Sequence, residues 1–230
     1  MKEDFSEFTR QGLSKDAVFI IGAGHFGSRA ARLLSQESAG PIFVIDMDED
    51  SLLQTQGLRV KMIPCDGIGF LVENYPLLDP MNIIVPAVPL HLAFEWLKGA
   101  LEGSHEINMI GVPENIMPFL PHSWPGSEGS LLVSYADFMC PDDCPEPDFC
   151  TVTGERRDKP LYDLLSRLEV PGFGVQVIRS RQLAPGLGGY TAGDLTMTAE
   201  RLKRGPERKW LLGTSCKCHG IVTALEIQSA

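Results

Sequence analysis

Reactive side chains are gathered in two stretches of this chain. The first is Gly22-Ala23-Gly24-His25-Phe26-Gly27, followed 24 positions after Gly22 by Asp46. Glycines at this spacing permit a tight turn, then a close approach of backbone to a diphosphate, then close packing of helix on strand. A carboxylate ending the next strand accepts hydrogen bonds from adenosine ribose hydroxyls and repels a 2′-phosphate, which favours NAD over NADP. His25 and Phe26 within the loop and Met47 beside Asp46 complete this candidate cofactor set. Loop and acid recognise phosphate and ribose, not nicotinamide, so ADP or ATP stands as the alternative ligand.

The second stretch is split. Cys140-x3-Cys144-x5-Cys150 and the later Cys216-x-Cys218-His219 offer five thiols and one imidazole. Four soft donors suffice for a tetrahedral zinc or an iron–sulfur cluster. Asp142, Asp143, Glu146 and Asp148 surround the first three thiols, and negative charge disfavours a free nucleophilic thiolate. A bound cation reverses that penalty, so a metal ligand fits these cysteines better than a catalytic nucleophile. Zinc and iron–sulfur both stay open; the prolines after Cys140 and Cys144 lean weakly toward the cluster. Disulfides or inert thiols are the remaining alternative, whereas Cys65, alone in the first half, reads as a small buried hydrophobe.

Elements must hold these groups in place. Val18–Ile21 is a short apolar run, as in a strand buried on both faces, and it leads directly into the glycine loop. Phe26, Ala30, Leu33 and Leu34 recur at helical spacing to about Gln36. Strands are expected at 42–45, 58–63, 82–85 and 107–110, with a helix at 91–101. Such alternation predicts an α/β fold: a Rossmann-like doubly wound parallel sheet over 17–120, followed by a smaller cysteine-rich α/β domain over 121–230. Residues 1–16 are polar and read as a loose arm or short helix. The proline- and glycine-rich stretch from Pro113 to Gly129 reads as the linker between domains. Beyond it, strands are expected at 131–134, 175–178 and 210–212, and helices at 161–168 and 191–202.

The run from Val18 to about Leu101 resembles the TrkA-N, or RCK, nucleotide-binding domain of bacterial potassium-transport regulators. The matching segments are IIGAGHFGSRAARLL, FVIDMDED and the Cys65-Asp66 step after the third strand. The family usually carries Gly-Asp at that step, with the acid near the adenosine, so the resemblance adds Asp66 to the cofactor set. It covers somewhat under half of the chain, and the second half does not resemble the family's C-terminal domain. It implies ligand-dependent regulation of a partner rather than catalysis. A homodimer and, by this resemblance only, a membrane transporter are the candidate partners.

Other features set bounds on function. Hydrophobic residues make up 43% and charged residues 22%, ordinary for a globular chain. The net charge is -10, and residues 1–120 carry eight Lys/Arg against sixteen Asp/Glu. This argues against a nucleic-acid backbone or an anionic membrane as partner. No apolar run approaches the ~20 residues that span a bilayer, and Met1-Lys2-Glu3-Asp4 lacks the apolar core of a signal peptide, so a cytoplasmic protein is expected. His91, after the fourth expected strand, is the one candidate general acid or base, with helix opening as its alternative role. Ala184–Tyr190, rich in glycine and preceded by Arg179 and Arg181, reads either as an anion nest or as a turn needing positive φ. Arg156, Arg157 and Lys159 read as a solvated turn. No Ser/His/Asp arrangement, metalloprotease signature or phosphate-transfer loop is visible.

These readings predict an NAD(H)- or adenine-nucleotide-binding regulatory protein with a metal or cluster in its second domain. The alternative is an NAD-dependent oxidoreductase using an iron–sulfur or zinc site. A third is an assembly subunit keeping the nucleotide fold as scaffold.

Overall fold

The computed structural model describes residues 14–229. The expected arm at 1–16 lies outside the described residues up to position 13. In chain order the first elements are β1 (Val18–Ile21), α1 (His25–Glu37), β2 (Ile42–Asp46), α2 (Glu49–Leu53), β3 (Lys61–Pro64), α3 (Gly67–Asn74) and β4 (Ile83–Pro86). There follow α4 (Leu92–Leu101), β5 (His105–Ile110), β6 (His122–Pro125), β7 (Leu131–Ser134) and α5 (Leu161–Ser166). The last are β8 (Phe173–Arg179), β9 (Arg181–Ala184), β10 (Leu187–Thr191), α6 (Ala192–Arg204), β11 (Lys209–Ser215) and β12 (His219–Ser229). The fold is mixed α/β, and no helix among the described residues is long and apolar enough to cross a membrane.

Two compact units share these elements. One holds the chain to Val88 together with Gly189–Thr196; the other holds Pro89–Gly188 and the chain from Met197. In the first, β3, β2, β1 and β4 lie side by side and parallel, with Ile21 registered between Ile45 and Pro86. Every residue of β1 is buried, which is why its side chains are apolar on both faces. Phe19 stacks on Phe43 at 5.0 Å between ring centroids. Tyr190 and Thr191 pair antiparallel with β4, so this sheet is not wholly parallel. Helix α1 ends where Ser38 donates its N–H to the Leu34 carbonyl, ahead of Pro41, which cannot continue a helix.

The second unit is built on a sheet ordered β6-β7-β12-β11-β8, in which β5 also pairs with β12. Strand β12 is long enough to take two partners on one edge: Val222 faces Leu131 of β7, and Ala224 faces Ile110 of β5. The expected fifth parallel strand at 107–110 is therefore an antiparallel strand of this sheet. An apolar run shows that a strand is buried but not which neighbour it meets. The units accordingly part after Val88 and not within Pro113–Gly129. That stretch folds into a 3-10 turn over Glu114–Phe119 and strand β6, and Ile116 and Leu120 enter the core beside Leu131, Val133, Leu161, Leu165 and Leu211.

Candidate functional site

Two groups of residues are brought together, one in each unit. In the first unit, β1 runs into Gly22, whose φ of +101° only glycine adopts without strain. A Cβ there would lie 2.5 Å from the Ala87 carbonyl oxygen, and one on Gly27 would lie 1.9 Å from that of Gly22. Packing of the protein on itself demands both glycines. Gly24 differs, because a Cβ built on it would meet nothing within 4 Å. It caps α1 with its backbone, and no side chain occupies the cap.

Asp46 ends β2 beside this loop. Its carboxylate accepts the Ala23 N–H at 2.6 Å through Oδ2 and the Asp48 N–H at 2.9 Å through Oδ1. It thereby ties the turn to the strand while standing only partly buried. Phe26 and Met47 are exposed, and the His25 ring meets Phe26 edge-on at 5.0 Å. Asp66 has structural employment: as the cap of α3 it accepts the Gly69 N–H at 2.6 Å. The neighbouring Cys65 thiol is raised above its ordinary value by burial and by Asp66 and Glu73.

His91 opens α4 in the second unit. Its Nδ1 lies 2.8 Å from the Thr223 hydroxyl and its Nε2 2.9 Å from that of Thr214. Burial pushes its pKa down to about 3. A neutral ring, itself buried and with both nitrogens engaged by the Thr223 and Thr214 hydroxyls, fastens α4 to β11 and β12 and offers no atom to a substrate.

The cysteines converge from two segments of the second unit, and all six of the chain's cysteines are free thiols. Cys140, Cys144 and Cys150 lie on the connection from β7 to α5, and Cys216, Cys218 and His219 at the turn from β11 to β12. The Cys140 thiol lies 3.4 Å from His219 Nε2, and Cys216 lies 3.8 Å from its Nδ1. Backbone bonds lock the segments: Tyr135 donates to the Cys218 carbonyl, Leu161 to that of Lys217, and Gly186 to that of Cys144. Gly186, at φ +69°, sits between β9 and β10. Its amide is thus spent on the protein, and the glycine-rich run is a turn and strand, not an anion nest.

Neighbouring backbone amides favour the thiolate at two sulfurs: those of Thr153 and Val152 at Cys150, and those of Cys218 and His219 at Cys216, where the His219 N–H donates at 3.4 Å. The electrostatic outcomes nevertheless diverge. The Thr153 amide and hydroxyl, the Val152 amide and the Arg157 guanidinium bring Cys150 down to about 7. Burial and Glu146 push Cys216 up to about 12 and Cys218 up to about 11. Burial, with Cys144 and Cys150 nearby, raises Cys140, and burial lowers His219. Among the described residues, no three His, Cys, Asp or Glu side chains are set so as to hold a metal ion.

Sequence reasoning missed Arg157, which is no solvated residue: only 9% of its side chain is exposed, and it packs over the Tyr135 ring. The signal was the Thr153-Gly154 turn, which folds Phe149 back against Arg156 and carries Arg157 toward the thiols.

Residues 93–228 match the family described as "Uncharacterized protein, C-terminal domain". A protein of Archaeoglobus fulgidus, also described as uncharacterized, is 32% identical over 223 residues, covering 90% of this chain and 98% of that one. The chain belongs to this family. The matched stretch contains every cysteine of the second unit and His219.

Proposed function

We propose that the chain is an NAD(H)- or adenine-nucleotide-binding regulatory protein. Its first unit is read as a Rossmann-like domain of the TrkA-N type, and the thiols of its second unit as donors to zinc or an iron–sulfur cluster. The contrast within the glycine loop carries the reading. Gly22 and Gly27 answer to the protein's own packing, whereas the space beside Gly24 is empty of protein atoms and suits a diphosphate approaching the backbone. The strand order β3-β2-β1-β4, with this loop at the carboxyl end of β1, supports the same reading. The uncapped start of α1 would hold the phosphates, Asp46 the ribose, and exposed Phe26 and Met47 would offer apolar surface to the base. Ligand binding would bias the populations of the chain's conformations, and the resemblance makes a transporter the recipient of that signal.

In the second unit, Cys140, Cys144, Cys150, Cys216, Cys218 and His219 would supply the donors. The donor types fit a soft metal, and the paired amides on Cys150 and Cys216 suit bound thiolates. A cation would deprotonate Cys216 and Cys218, which stay neutral as bare thiols. The regulatory reading is preferred to the oxidoreductase because His91 is enclosed by threonine hydroxyls.

Calorimetric titration with NAD, NADH, ADP and ATP tests the proposal: saturable binding of at least one is expected, and binding of none removes it. Elemental analysis with a visible spectrum tests the metal. Zinc in a colourless protein or iron in a brown one supports it, and a metal-free protein that gains no stability with zinc overturns it.

A further inference from the structure

Beside the cysteine segments, the second unit contains a cavity of about 350 Å³, within the size range of small-molecule pockets. Charges of both signs line it, and their pairing is uneven. Asp148 is taken by Lys217 at 2.6 Å, Asp158 by Arg156 at 3.0 Å, and Glu146 by the Cys216 thiol. Two guanidiniums on the lining are served less well. Arg157 is nine-tenths buried and its Nε has no hydrogen-bond partner; its guanidinium meets the Cys150 thiol and, at 3.5 Å, the carboxylate of an exposed Glu155. Arg179 lies over the Tyr162 ring, 4.4 Å from its centroid.

A guanidinium stacked on an aromatic face keeps its in-plane N–H edge available, and that edge matches two oxygens of one anion. Leaving a donor of a charged group buried and unmet is costly, so Arg157 is a guanidinium that the protein leaves undercompensated. We infer that this cavity is a binding site for a small oxyanion of the carboxylate or phosphate class, held between Arg157 and Arg179. The site is independent of the glycine loop, since all of its lining residues belong to the second unit.

Titration of the full chain with inorganic phosphate and, separately, malonate tests this. Saturable binding of at least one is expected, weakened about tenfold or more by Arg179→Gln and unchanged by Arg181→Gln. Arg179→Lys, which keeps the charge and loses the fork, is expected to fall between. Phosphate alone binding assigns the site to phosphate esters, and malonate alone to carboxylates. No saturable binding of either overturns the site. So does binding at undiminished strength in Arg179→Gln, which would place the anion elsewhere, or an equal loss in Arg181→Gln, which would reduce it to general charge. Because Arg179 is exposed at the end of β8, its replacement leaves the core untouched.

Discussion

The glycine loop and the cysteine segments are both short irregular stretches next to strands, yet they are fixed by opposite means. In the loop, backbone presses on backbone: Gly27 stands where no Cβ fits, and the Asp46 carboxylate pins the Ala23 amide. The shape is complete without help. In the cysteine segments, backbone bonds hold the chain, but the side chains remain a loose set of donors in which no three are ready for a metal. The loop is preorganised for its proposed ligand, and the thiols would be organised by theirs.

The largest expected effect separates Gly27 from Gly24, three positions before it. Gly27→Ala forces a methyl onto the Gly22 carbonyl and is expected to cost about 3 kcal/mol in denaturant unfolding. A cost below about 0.5 kcal/mol would show that the loop is not held by close packing.

Next is the framework of the second unit. In the unfolded chain His91 takes up a proton near pH 6.5, but in the fold only near pH 3. Between these values the unfolded state binds more protons, so stability is lost as the pH falls through that window. The loss approaches roughly 1.4 kcal/mol per pH unit at its steepest. His91→Gln is expected to flatten this slope in urea unfolding measured at several pH values; an unchanged slope would mean that the ring is not held neutral by the two threonines.

A smaller contrast lies among the thiols. In metal-free protein at neutral pH, iodoacetamide is expected to modify Cys150 at least about tenfold faster than Cys216 or Cys218, because only Cys150 is substantially thiolate. Peptide mapping reads the order, and zinc is expected to protect all three. Equal rates would contradict the electrostatic difference between the segments.

The comparison also explains what was legible in the sequence. The strands at Val18–Ile21 and Ile42–Asp46 and the loop between β1 and α1 were legible because continuous apolar runs and glycine spacing are local signals. Strand β5 looked identical to them, yet its partner lies more than a hundred residues onward in β12, and no local pattern names a partner that distant. The β11–β12 hairpin was hidden because its turn carries Cys216, Cys218 and His219 in place of the Asn-Gly or Asp-Gly that marks hairpins. Ile116 and Leu120 were hidden among prolines that suggest a linker. Arg157 was hidden because its burial depends on Tyr135, which is remote in sequence.

The most direct test pairs stability with affinity at Gly24. Gly24→Ala adds a methyl that touches no protein atom, so unfolding is expected to shift by less than about 1 kcal/mol. Titration with NADH and ADP is expected to show nucleotide binding by the native chain and its loss, by about tenfold or more, in the variant. Undiminished nucleotide affinity in a normally folded Gly24→Ala protein would contradict the claim that this space is kept open for a diphosphate.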